Sequence, residues 1–443
     1  MAFDVDVVVI GGGPGGLAAA HALARTKKVL VAEDNLWGGT CPNFGCDPKK
    51  MLYGVTEAVR QTRSYAGSGV SGVALVDWPQ MMAFKRGYTD SVPAGTESGL
   101  ASAGIEHVHA KASFIDAHTL RVGDRVVTTD KVIIATGAHA ARPDIPGAEL
   151  LETSTDFLSL PDKPDAIGFI GAGYVAIELA NIAAAADVTV HVFQHNHRIL
   201  RNFPEEYTQL VAEDLARKGV IWHWDTEVQE VRDQDDGVQA HTTTGDFDLN
   251  HLYVAMGRPA NTDGLNLDQV GIKQGKGGIT VSDHLQTSQA NVYAIGDVAG
   301  SNVPKLTPVA GLEGRYVAGQ ILGDSSDPIK YPAIPHAVFA GPELASVGVT
   351  LDAAQADPDA YAVTTQDVGS WYTYNRIRDT RAKVSVITRR NDGIIVGAIA
   401  YATNAEELIN YLSDMISHET PASDLAQWMP VYPSVASDLG YFY

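Results

Sequence analysis

The sequence predicts an α/β protein carrying two Rossmann-like dinucleotide-binding folds, and three observations carry that prediction. A glycine signature occurs twice, at Gly11 and again 160 residues later at Gly171. Each copy sits between an apolar run of strand length and an Ala-rich run of helical length, the opening of a βαβ unit. The chain has 443 residues and 45% hydrophobic content, enough for about three domains with separate cores.

In the first copy, Val5 to Ala24 reads as buried strand, glycine turn and helix, and Lys27 to Asp34 supplies the second strand. Within Gly11-x-Gly13-x-x-Gly16, the first glycine permits the tight turn and the second lets a pyrophosphate approach the backbone. The third lets helix and strand pack closely, and the helix N-terminus then offers an anion site. Glu33, at the end of the second strand, is placed to accept hydrogen bonds from a ribose. The second copy, Gly171-x-Gly173-x-x-Ala176, is followed by the strand Asp187 to Gln194 and then by QHNHRILR, Gln194 to Arg201. That strand ends without the acid that would favour NADH. Arg198 and Arg201, with His195 and His197 when protonated, suit a 2'-phosphate and favour NADPH.

Composition excludes several classes of function. A formal net charge of -21, with no Lys/Arg block, repels nucleic acid and anionic lipid. The N-terminus lacks the basic region of a signal peptide, and no segment is apolar and long enough to span a bilayer, so a soluble cytoplasmic protein is expected. Only two cysteines occur, Cys41 and Cys46, in GGTCPNFGCDPKK, too few to staple a chain of this size. In a continuous helix their Cα atoms would be separated by about 7.5 Å in rise alone, so pairing them requires an irregular turn, for which Pro42 and Gly45 are available. Asp47 and Pro48 read as N-cap and first residue of the following helix, which puts Cys46 beside a helix N-terminus, where a thiolate is stabilised.

Along essentially its full length the sequence resembles the pyridine nucleotide-disulfide oxidoreductases of the glutathione reductase, dihydrolipoamide dehydrogenase and mercuric reductase type. GGTCPNFGCDPKK is similar to their redox-active disulfide motif. Ala135 to Gly137 (ATG) resembles the strand end closing the first FAD segment, Ala294 to Val298 (AIGDV) the aspartate that holds the ribitol, and Lys305 to Arg315 the helix under the flavin. Ala255 to Leu265 resembles the stretch returning from the NAD(P) domain, and Pro335 to Thr350 the start of a C-terminal α+β dimerisation domain. The implied order is an FAD-binding segment over 1–149, an NAD(P)-binding domain over 150–257, a second FAD/central segment over 258–328 and a dimerisation domain over 329–443.

The resemblance also implies roles. Cys46 would be the thiolate facing FAD and Cys41 the sulfur that attacks substrate. Glu178 would pair with Lys50, or with its neighbour Lys49, near the reactive flavin nitrogen, and Tyr174 would cover the flavin until the nicotinamide displaces it. Thr40, Thr136, Gly137, Arg258, Asp297 and Thr307 fall in the cofactor-binding motifs, and no resident metal is implied. The C-terminal segment departs from the family pattern. Where disulfide reductases carry a His-Pro pair and a following Glu, this chain has Tyr432 before Pro433, and Ser437 with Asp438 beside it. Asp47, near both sulfurs, is a second departure, and it should oppose ionisation of Cys46. The aromatic run Trp371 to Arg378 has the spacing of strand packing, and His418 reads as a surface residue.

The expectation is therefore a homodimeric FAD-dependent NADPH:disulfide oxidoreductase, passing electrons through Cys41 and Cys46 to a low-molecular-weight disulfide in cell redox homeostasis. Loss of the dyad makes reduction of a metal ion, Hg(II) or Cu(II), or of a quinone, the main alternative. A redox-sensing flavoprotein with little turnover is the other.

Overall fold

The computed structural model describes residues 3–442, which divide into two units. Among these residues the first unit comprises 3–49, 83–141 and 257–330, and the second 50–82, 142–256 and 331–442. The division falls inside the helix Cys46–Ser64, after Lys49.

The first unit is built on a seven-stranded sheet. Strand Val5–Ile10 lies at its middle, parallel to Val29–Glu33 on one side and Arg125–Ile134 on the other. Val292–Ala294, from the last segment of the unit, adds in parallel to Arg125–Ile134. The central strand is Val- and Ile-rich and almost wholly buried, as a parallel strand covered on both faces must be. Helix Pro14–Leu23 packs against helix Thr307–Leu322 through small residues. A Cβ on Gly314 would lie 2.3 Å from the Gly15 carbonyl oxygen, so side-chain-free contact sets this approach.

The second unit contains a four-stranded parallel sheet in the order His251–Val254, Ala166–Ile170, Thr189–Gln194, Val220–Trp224. It also holds a three-stranded antiparallel sheet over residues 228–249 and a five-stranded antiparallel sheet over residues 336–402, the latter packed by helix Ala405–Ser417. Trp371 to Arg378 differs from its strand reading. Tyr372–Asn375 is a helical turn, and Trp371 stacks on Phe442 with ring centroids 5.4 Å apart. Here burial of Tyr374 and of the Trp371 face overrides the alternation of aromatic residues. Among the described residues no helix is long and apolar enough to cross a membrane.

Candidate active site

The glycine turn of the first unit is built by steric exclusion. Gly11 has φ +113°, and a Cβ there would sit 2.3 Å from the Ala135 carbonyl oxygen at the end of the neighbouring strand. A Cβ on Gly16 would lie 2.0 Å from the Gly11 carbonyl oxygen. Helix Pro14–Leu23 begins at Gly13 with no side chain capping it, so its first amides are left to an anionic ligand. The Glu33 carboxylate accepts from the Gly12 amide at 2.7 Å and the Asn35 amide at 2.8 Å, which fixes it beside the turn.

Asp297 completes this cradle from the other end of the unit. Burial raises its carboxyl pKa while Arg258 and Lys305 oppose the rise, and no hydrogen bond to its carboxylate is made among the described residues. The Arg258 guanidinium donates to the Ala138 carbonyl at 2.6 Å, and Lys305 Nζ donates to the Asp297 main-chain oxygen at 2.7 Å. Thr136 Oγ1 donates to the Asn261 carbonyl at 2.6 Å, and the Asn261 amide nitrogen bonds back to Gly137 O. Glu313, fully buried, accepts the Gly296 amide at 2.6 Å and so shapes the turn that carries Asp297. Sequence reading passed over Glu313, although a lone acid on an otherwise small and apolar helix face was the available signal. Uncapped helix amides, the Glu33 carboxylate beside the turn and a partly buried Asp297 carboxylate near two cations together fit a dinucleotide such as FAD.

The cysteines lie against the same turn. Thr40 opens a short helix, Thr40–Phe44, and Gly45 breaks it before the long helix begins at Cys46 itself. Asp47 and Pro48 therefore stand inside the first turn, and Asp47 is not the N-cap that local sequence suggested. A Cβ on Gly39 would lie 2.6 Å from Gly13 Cα, which is how closely the cysteine loop meets the glycine turn. Asn43 Nδ2 pins that loop through the Trp37 and Gly39 carbonyls, at 3.0 and 2.9 Å.

Both cysteines are free thiols, and their environments differ. Cys46 Sγ lies 3.6 Å from Thr307 Oγ1. Its pKa is drawn down to about 6, first by the hydrogen bond from Cys41 and then, against burial, by Thr307 and the charge of Lys49. The Cys41 pKa is raised, by that same hydrogen bond, by burial and by the Cys46 charge. The pair thus favours the thiolate on Cys46 and the proton on Cys41. Asp47 turns its carboxylate toward Cys41. Oδ1 lies 3.9 Å from Cys41 Sγ, and Oδ2 accepts the Tyr88 hydroxyl at 2.7 Å.

In the second unit the glycine turn is repeated almost angle for angle. Gly173 begins helix Tyr174–Ala185 with φ -86° and ψ -170°, against -85° and -176° at Gly13, and again no side chain caps the helix. Gly171 has φ +96°, with a Cβ there lying 2.8 Å from the Ala255 carbonyl oxygen. On this helix Tyr174 packs 5.8 Å from the Phe203 ring, and burial raises its phenol pKa. Glu178 is buried and accepts the Phe339 amide at 2.9 Å.

Lys50 does not pair with Glu178. Its Nζ donates to Glu406 at 2.8 Å, lies 3.7 Å from Glu343 and stands 3.4 Å over the Phe339 ring. Successive residues on a helix point about 100° apart, so the two adjacent lysines cannot share one direction. Glu343 was not foreseen from sequence; burial pushes its carboxyl pKa up to about 7 despite Lys50.

The cationic loop after Gln194 is mostly turned on itself. His197 Nε2 bonds Asp225 at 2.7 Å while its ring stacks on Trp224, and His195 bonds Asn196. Arg198 donates to the Arg201 and Phe203 carbonyls at 3.4 and 3.3 Å. The Arg201 residue is exposed, and its side chain makes no hydrogen bond or ion pair among the described residues. At the C-terminus Tyr432 is 75% exposed, so its phenol is accessible on this unit. Ser437 is used as the reciprocal cap of Ser434. Asp438 is buried with Oδ2 unpartnered, and burial raises its carboxyl pKa. His418 is a surface residue at the end of helix Ala405–Ser417, as expected.

Comparison with known proteins agrees with this geometry. A family described as pyridine nucleotide-disulphide oxidoreductase matches residues 5–314, and the dimerisation domain of that family matches 334–441. Glutathione reductase of Burkholderia cepacia is 32% identical, with 98% of each chain covered. Dihydrolipoyl dehydrogenase of Geobacillus stearothermophilus is 30% identical over 98% of this chain and 94% of that one. Among solved structures, the Cu(II) complex of the HOCl-induced flavoprotein disulfide reductase RclA from Escherichia coli superposes with a TM-score of 0.90 at 25% identity, covering 98% of this chain and 99% of that one.

Proposed function

Because the chain belongs to the pyridine nucleotide-disulphide oxidoreductase family, and is a flavin-dependent disulfide oxidoreductase, we propose that it reduces a low-molecular-weight disulfide at the expense of NADPH, as a homodimer. The single observation that carries this reading is the placing of the thiol pair against the glycine turn: Gly45 breaks the helix between Cys41 and Cys46, Gly39 meets Gly13, and Cys46 Sγ lies 3.6 Å from Thr307 Oγ1 while Cys41 faces Asp47. When bound, FAD accepts two electrons from a nicotinamide and returns them to the sulfur pair. Residues 1–149 and 258–328 would hold it through the Gly11–Gly13 turn, Glu33 and Asp297. Residues 150–257 would hold the nicotinamide coenzyme, and 329–443 would pair the subunits.

The remaining roles belong to this chain's own groups. The hydrogen bond from Cys41, with Thr307 and Lys49, favours the Cys46 thiolate, which would attack a mixed disulfide on Cys41. Tyr174 is proposed as the ring that yields to the nicotinamide and Glu178 as a carboxylate that steadies hydride delivery. Arg201, open to solvent, supports NADPH over NADH, because the other cations of its loop are engaged.

A second reading has its own observation. RclA is described as a disulfide reductase and as a Cu(II) complex, and this chain lacks the His-Pro pair that would protonate a leaving thiolate. Copper would then be a substrate accepting electrons from the same dithiol. The experiment is anaerobic titration of the holoprotein with NADPH and with NADH, in the wild type and in Cys46→Ser. A long-wavelength absorbance that needs Cys46 and is discharged by a disulfide supports the first reading. Discharge by Cu(II) alone supports the second, and absence of the band in the wild type removes the assignment of Cys46.

A further inference from the structure

The protein lacks the acid-base dyad at its C-terminus, yet thiol-disulfide exchange moves a proton at each turnover. The hydrogen bond to Cys46, burial and the Cys46 charge push the Cys41 thiol pKa up, so its attack on a disulfide calls for a base. From the geometry we infer that Asp47 is the catalytic base and acid for Cys41 and that Tyr88 is its positioning residue, supplying within one chain the proton transfer that the missing dyad would have performed. This inference rests on the disulfide reading of the same sulfur pair.

The first unit supports it. Asp47 Oδ1 lies 3.9 Å from Cys41 Sγ, within reach of a sulfur contact. Tyr88 donates to the second oxygen at 2.7 Å, leaving Oδ1 the oxygen that faces sulfur. Tyr88 itself stays a donor, because the hydrogen bond to Asp47 raises its phenol pKa. Asp47 is also the first-turn residue next to Cys46, so the helix that presents one sulfur aims the base at the other. Tyr88 is partly exposed, at 41%, which leaves the pair open to an incoming substrate and to solvent protons.

The step balances. The Cys41 thiol gives its proton to Asp47 Oδ1 as Cys41 Sγ bonds one sulfur of the substrate disulfide RSSR. The S–S bond breaks, and the departing RS⁻ takes the proton back from the Asp47 carboxyl, leaving as RSH and restoring the carboxylate. The Cys46 thiolate then attacks Cys41 Sγ, forming the Cys41–Cys46 disulfide and expelling the second RS⁻, which gains its proton from solvent. The dithiol loses two electrons, the substrate gains two, and one solvent proton is consumed.

The sign of one substitution separates this role from a purely electrostatic one. The Asp47 charge raises the pKa of both thiols, so neutralising it should by electrostatics alone speed thiolate chemistry. As a general base it should slow it, by about a hundredfold on the usual scale of such groups. The test is stopped-flow reoxidation of the NADPH-reduced holoprotein by a small disulfide, in wild type, Asp47→Asn and Tyr88→Phe across pH 6 to 9. A parallel arm measures alkylation of Cys41 by iodoacetamide, read by mass spectrometry. Appearance of the long-wavelength band in each variant shows that it is folded and reducible. The expected result is slower reoxidation and slower Cys41 alkylation in Asp47→Asn, with the deficit closing as pH rises, and a several-fold slowing in Tyr88→Phe that keeps the wild-type pH profile. Rates in Asp47→Asn equal to or above wild type throughout would overturn the inference while leaving the disulfide reading intact. Failure of the wild type to reoxidise with any disulfide would overturn the disulfide reading, and the inference with it.

Discussion

Thr307→Val tests how the thiolate is held. The hydroxyl lies 3.6 Å from Cys46 Sγ, and valine keeps the shape while removing the donor. A hydrogen bond of ordinary strength contributes about 1 kcal/mol, and a contact as long as this one belongs at or below that value. One kcal/mol corresponds to about a fivefold change in the ionisation constant. The Cys46 midpoint, held at about 6, should therefore rise to roughly 6.7. The thiolate fraction at pH 7 would fall from about nine-tenths to about two-thirds. The assay is the pH dependence of the long-wavelength absorbance of the reduced holoprotein, with Cys46→Ser as blank and FAD content as control. A midpoint that stays in place in Thr307→Val, with FAD retained, would refute the role given to this hydroxyl. The remaining support would then fall to Cys41 and Lys49.

Other consequences are as open to measurement. Gly16→Ala puts a methyl group 2.0 Å from the Gly11 carbonyl oxygen, so the turn must open; purified protein should lose FAD and melt several degrees lower, whereas retention of both would show that the turn tolerates the shift. Glu343 is a buried acid whose folded pKa lies above its unfolded value, so its contribution to stability is complete below about pH 4.5 and is lost as pH rises through about 7. Glu343→Gln should accordingly stabilise the protein at pH 8 by about 1–3 kcal/mol and give no gain at pH 4.5, as read by denaturant unfolding at the two pH values. Arg201→Ala should raise KM for NADPH about tenfold and leave KM for NADH unchanged; equal effects on the two coenzymes would remove Arg201 from 2'-phosphate recognition.

Local sequence was enough to determine both glycine turns and the break between the cysteines. Gly11 and Gly171, Gly13 and Gly173 take nearly the same angles in two different units, because the constraint is steric and lies within a few residues and the end of one adjacent strand. Gly45 interrupts the helix between the cysteines for a similarly local reason. Charged side chains behaved differently, since each chose among partners that are remote in sequence. Lys50 met Glu343 and Glu406, more than 290 residues away, and Arg198 folded back on its own loop. Asp438 was drawn into a buried site, and the aromatic run around Tyr372 became a helical turn. Asp47 shows the difference most directly. From sequence it was a helix cap and an obstacle to the thiolate beside it. Only the tertiary structure brought Tyr88 to one of its oxygens and Cys41 to the other, because the direction of a first-turn side chain is settled by what packs around the helix end, and sequence spacing carries no record of that.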